Sequence, residues 1–115
     1  MVSRIYSNTV VERHKDGDTS VVLVDLGFST FQRMTIRWAG INAPEMGTAL
    51  GQISLDELNK KLPPQSIVDL ITIKTKSNVD EKDKYGRYLG AFLYNGENIN
   101  QWLLTNNLAV EYNGQ

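Results

Sequence analysis

Cysteine is absent from this chain and histidine occurs once, at position 14. The first absence excludes a disulfide framework, a thiolate zinc site and a cysteine nucleophile. The second excludes a metal centre built from several histidines, and His14, just ahead of an Asp-Gly-Asp run, reads as a strand-end residue rather than a catalytic one. No apolar run approaches the length that crosses a bilayer, and residues 1 to 6 lack the apolar centre of a secretory signal, so a soluble intracellular protein with no membrane partner is expected. A basic excess is missing as well: 12 Lys and Arg face 13 Asp and Glu, a formal net charge of -1. Nucleic-acid binders are usually basic, because neutralising phosphates releases counterions. Any polyanion site here must be local, and non-specific binding should be weak unless an oligomer gathers several sites. Internal repeats and low-complexity segments are also lacking. With 115 residues, 41% of them hydrophobic, the chain can bury the small core of a single domain over residues 1–115.

The pattern that is present begins with strands. Residues 8 to 14 and 20 to 26 are β-rich flanks of the turn Asp16-Gly17-Asp18-Thr19, and Gly27-Phe28-Ser29-Thr30 turns the chain into a third strand over about residues 31 to 38. A helix is expected over about residues 48 to 62. Thr48 suits its N-cap, Leu50, Ser54, Leu55, Leu58 and Leu62 recur at helical spacing, and Pro63-Pro64 stops it. Residues 67 to 76 alternate as a strand with Ile71 and Ile73 on one face, residues 77 to 87 form a long polar connection, and residues 88 to 94 return as the fifth strand. Asn95-Gly96 then turns into a short amphipathic helix over residues 98 to 105, carrying Ile99, Trp102 and Leu103. The pattern by itself supports a mixed, mainly β, antiparallel α+β domain.

Three polar segments punctuate these elements: Asp16-Gly17-Asp18-Thr19; residues 37 to 45, from Arg37 to Asn42-Ala43-Pro44-Glu45; and Asp83-Lys84-Tyr85-Gly86-Arg87. Carboxylates can hold a divalent cation, a glutamate can position or deprotonate water, and two arginines can neutralise a phosphate whose charge grows in the transition state. Those are the requirements of metal-assisted phosphodiester hydrolysis. Singly, each segment has a plainer reading. Asp-Gly-Asp is a turn signal. Arg37 suits a strand edge, Glu45 the first turn of a helix, and residues 84 to 87 a solvated hairpin tip. Their occurrence together, in order, favours the chemistry.

The same runs, with Ile36-Arg37, Ile41-Asn42-Ala43-Pro44-Glu45 and Asp83 through Leu89, resemble the three signature blocks of the staphylococcal nuclease family, and Asn98-Ile99-Asn100 and Asn107-Leu108-Ala109 are similar to its last helix and following strand. The resemblance spans about residues 8 to 112. It implies a five-stranded Greek-key OB-fold barrel with one inserted helix and one short C-terminal helix. It also implies an endonuclease that hydrolyses phosphodiester bonds of DNA, with RNA as a further substrate and low sequence specificity. By the resemblance, Asp18 is the metal-binding aspartate, Ala43 lends its backbone carbonyl, Glu45 handles the attacking water, Arg37 and Arg87 clamp phosphate, Lys84 and Tyr85 hold the nucleotide, and Tyr112 belongs to a base-stacking wall.

Two departures qualify this. The family's second metal carboxylate falls at Asn42, whose amide oxygen can coordinate but brings no charge, so binding of the single divalent ion (Ca, Mg or Mn) should be weak. A catalytically weakened nucleic-acid-binding module is therefore the alternative. The family also usually continues into a third helix covering the barrel, where this chain stops at Glu111-Tyr112-Asn113-Gly114-Gln115; a homodimer is one way to cover that surface.

Overall fold

A computed structural model describes residues 3–73, 82 and 86–114. Strand β1 (Ser3–Asp16) and strand β2 (Thr19–Gly27) flank the Gly17-Asp18 turn, where Asp16 Oδ1 accepts the Asp18 amide at 3.0 Å and so closes the turn it opens. Strand β3 (Thr30–Trp38) runs back along β2. The two-residue β4 (Ile41–Asn42) leads to helix α1 (Ala49–Lys61). Then come β5 (Ile67–Ile73), β6 (Tyr88–Tyr94), β7 (Glu97–Asn98), helix α2 (Ile99–Thr105) and β8 (Val110–Glu111), which pairs with β4.

β1 pairs antiparallel with β2 and β5, β5 pairs with β6, and β6 closes the circuit by running parallel to β3. The result is the expected α+β architecture, a closed five-stranded barrel of the OB type with α1 inserted after the third strand. β1 serves two neighbours because it bends. Its register slips between Tyr6 and Thr9, where Asn8 takes a left-handed φ of 60°. Among the described residues no helix is long and apolar enough to cross a membrane. Residues 74 to 76 of the expected fifth element, and residues 77 to 81 and 83 to 85 of the connection after it, lie outside the described residues.

The core centres on Trp38, fully buried, with its rings 4.2 Å from those of Phe92 and packed among Val11, Val22, Ile36 and Leu70. A buried indole needs an acceptor. Trp38 Nε1 donates to Ser20 Oγ at 2.8 Å, Ser20 Oγ lies 2.7 Å from His14 Nδ1, and His14 Nε2 lies 2.7 Å from the Leu62 carbonyl. A carbonyl can only accept, so Nε2 carries the imidazole proton and Nδ1 accepts from Ser20. Burial holds the His14 pKa below its ordinary value, keeping the ring in the neutral form this chain of bonds requires. His14 is thus a structural strand residue that fastens the end of α1 to the barrel.

α1 keeps most of the expected inward face. Its N-cap is Thr48, as anticipated, Ser54, Leu58 and Leu62 are buried with Gly51 beside them, and Leu50 departs from the stripe, 67% exposed. Small residues are needed because the Asp16-Thr19 turn lies directly against the helix. A Cβ at Gly17 would collide with Ser54 Oγ and with Ala43 Cβ. In β5 the buried row is Val68, Leu70 and Thr72, and Ile71 and Ile73 share the opposite, half-buried face.

Candidate functional site

The turn between β1 and β2 presents Asp18 at one end of the barrel. The side chain is largely buried, and its Oδ2 accepts the Ala43 amide at 2.7 Å while Oδ1 lies 3.3 Å from Thr19 Oγ1. Burial, reinforced by the neighbouring Asp16 carboxylate, pushes the Asp18 carboxyl up to about 6, against the pull of the Ala43 amide and Arg37.

Register explains how Arg37 reaches it. Thr19 and Arg37 are opposed across β2 and β3, so the guanidinium lies over the start of β2. Arg37 is only 6% exposed. Its Nη1 donates to the Trp38 carbonyl at 3.0 Å, and Nη2 donates to Asn42 Oδ1 at 3.1 Å and lies 3.6 Å from Asp18 Oδ2. The guanidinium carbon is 6.0 Å from the centre of the Tyr112 ring, which covers it. Asn42 stands beside this group because Asn100 holds the intervening turn, donating to the Ala39 carbonyl at 3.0 Å while accepting the Phe92 amide at 3.1 Å.

Arg87 arrives from the far side of β3, just ahead of β6, and its Nη1 donates to Thr19 Oγ1 at 3.3 Å. Both arginines therefore converge on the Asp18-Thr19 pair. Glu45 is exposed on the loop before α1. That loop is pinned from behind. Thr48 Oγ1 donates to the Glu45 carbonyl at 2.6 Å and accepts the Gly51 amide at 3.0 Å, and a Cβ at Gly51 would collide with the Glu45 backbone. The structure brings together Asp18, Arg37, Asn42, Ala43, Arg87 and Tyr112, with Glu45 on the adjoining loop; Lys84 and Tyr85 lie outside the described residues.

Thr19 had no assigned role in the sequence, yet its hydroxyl joins Arg87 to Asp18. The available signal was the strand start: a residue directly after a turn aspartate lies level with the partner strand's Arg37. Among the described residues no three acidic or histidine side chains cluster. The oxygens of Asp18, Asn42 and the Ala43 carbonyl are all hard donors with one negative charge between them, a set suited to a weakly held Mg, Ca or Mn ion rather than zinc.

A family model described as staphylococcal nuclease homologue matches residues 35–115, more than half of the chain. The match includes Arg37, Asn42, Ala43, Glu45, Arg87 and Tyr112. The Asp16-Thr19 turn precedes it and is tied to it by the contacts of Asp18 with Arg37 and Ala43. Comparison with curated proteins gives no match.

Proposed function

Because the chain belongs to the staphylococcal nuclease family, whose members are nuclease-like or nucleic-acid-binding proteins, we propose that it is a metal-assisted endonuclease that hydrolyses phosphodiester bonds of DNA, and of RNA, with little sequence specificity. The observation that carries this reading is the convergence of two arginines from distant segments on one buried carboxylate and its neighbouring threonine.

Arg37 and Arg87 bind the non-bridging oxygens of the scissile phosphate. Guanidinium groups suit that task, being planar, permanently charged and rich in donors. Glu45, exposed at the rim, accepts a proton from water as the water oxygen bonds to phosphorus and the bond to the leaving ester oxygen breaks. Asp18, Asn42 and the Ala43 carbonyl would hold a divalent ion. When bound, such an ion lowers the pKa of water and offsets phosphate charge. Tyr112 offers a flat face beside Arg37 for a base.

A second reading, a binding module with weakened catalysis, is favoured by one observation: Asn42 spends its oxygen on Arg37 and adds no charge to the cation site. Arg37→Ala separates the two. Under the nuclease reading turnover should fall about 100- to 1,000-fold, the scale for removing one transition-state donor. Under the second, wild type shows no turnover and the variant loses affinity alone.

A further inference from the structure

Among the described residues the end of the barrel away from Asp18 is open. A groove of about 410 Å³ lies there, lined by Tyr6, Val24, Leu26, Met34, Leu70 and Tyr88 among others. The β2–β3 hairpin runs past it. β1 follows β2 only as far as the Val10–Leu23 pair and then turns to β5, so among the described residues positions 24 to 27 of β2 pair with β3 alone. The overhang is apolar. Leu26 and Phe31 are exposed and Phe28 is wholly so, with Ile5 exposed on the neighbouring arm of β1. Its turn is also strained, since Phe28 and Ser29 have φ of 55° and 59°. Both values belong to a type I′ turn, where asparagine and glycine are at ease and a bulky aromatic is an outlier.

We propose that this end of the barrel is a self-association surface, on which the hairpin tip of a second copy packs across the open groove. Each protomer carries both a tip, on the β2–β3 hairpin, and a groove that the hairpin lines together with Tyr6, Leu70 and Tyr88, so a two-fold axis supplies each with its counterpart, the isologous arrangement of C2 dimers. Phe28, wholly exposed, brings roughly 150–250 Å² and Phe31, 57% exposed, about half of that. With Leu26 and Ile5, two protomers would bury about 1,000 Å² in all, the size of a weak, concentration-dependent association. The edge of β2 that has no strand partner among the described residues adds backbone donors and acceptors that a second strand can satisfy. Nucleic acid suits the surface less well. Its exposed residues are apolar, Arg33 beside them is paired with Glu12, and a net charge of -1 sets little repulsion between copies.

Sedimentation velocity and light scattering across low to high micromolar concentration test this on the full chain, with Phe28→Asn and Leu26→Glu as variants. Asparagine accepts the left-handed turn, so Phe28→Asn should melt no lower than wild type and misfolding cannot explain its behaviour. Wild type should approach twice the protomer mass as concentration rises, and both variants should stay monomeric. A wild type that remains monomeric throughout, or a Phe28→Asn variant that associates as wild type does, overturns the proposal. So does a monomer that uses Phe28 to bind neutral lipid vesicles or a single-stranded oligonucleotide, since the occupant would then be a different one. No cleavage is measured, so the outcome is independent of the nuclease reading.

Discussion

Asn42 differs from a carboxylate by one nitrogen for oxygen, and under the proposed function that atom weakens the hold on a cation. Restoring the charge with Asn42→Asp should tighten Mn or Ca binding on the order of tenfold, since affinity of oxygen sites follows the number of anionic ligands. Calorimetry on the nucleic-acid-free protein measures it, and unchanged affinity would place the cation elsewhere. Arg37→Lys keeps a charge but loses the planar fork that now spans Trp38 and Asn42. Cleavage should drop at least about tenfold, the cost of one weakened charged hydrogen bond, with kcat affected more than KM. Arg37, Glu45, Arg87 and Asp18 were legible as chemistry because their residue types are costly to explain otherwise when found together. The part of Thr19 was not legible, because it depends on which strand lies opposite.

α1 and the strands around it show where periodicity informs and where it fails. The Asp-Gly-Asp turn, the stop at Pro63-Pro64 and the strand over residues 88 to 94 announce themselves through local chemistry. The N-terminal arm of β1 does not. The strand was expected over residues 8 to 14, and the switch of partner from β2 to β5 extends it to Ser3–Asp16 through a bulge at Asn8. Leu50 matched the helical stripe yet faces solvent, while on the buried side Ser54 meets the close-lying Gly17 and Gly51 lies against the Glu45 backbone. At this scale His14 predicts a pH effect. Its folded pKa lies below the ordinary 6.5, so between the two values the unfolded chain binds more protons, and stability falls as pH drops below about 6.5. His14→Gln should cost about 1–3 kcal/mol at neutral pH through lost buried bonds. In urea melts the gap to wild type should narrow towards pH 5, with the Asp18 contribution cancelling in the difference. A constant gap would mean that His14 does not titrate across folding. Thr48→Ala should cost about 1 kcal/mol as a lost N-cap and should also lower cleavage, because the same hydroxyl anchors the Glu45 carbonyl.

For the molecule as a whole, a formal net charge of -1 means that under the proposed function nucleic-acid attraction is confined to the site. With Arg37 and Arg87 as the proposed phosphate contacts, and one more cation allowed for, the logarithm of affinity for duplex DNA should fall with the logarithm of salt at a slope of about -1.8 to -2.7. A much steeper slope would reveal a wider phosphate track. The barrel itself was within reach of sequence reasoning through its family likeness, whereas the strand pairing that closes it, β3 against β6, joins segments too far apart for any local pattern to mark. That closure brings Arg87 to Thr19, and the central claim rests on what the assembled group does. The most direct measurement is nicking of supercoiled plasmid by purified wild type and Glu45→Ala, with Ca, Mg, Mn or EDTA. The account predicts metal-dependent nicking by wild type that EDTA abolishes and Glu45→Ala lacks. Equal inactivity of the two proteins in every metal, or equal nicking by both, would contradict it.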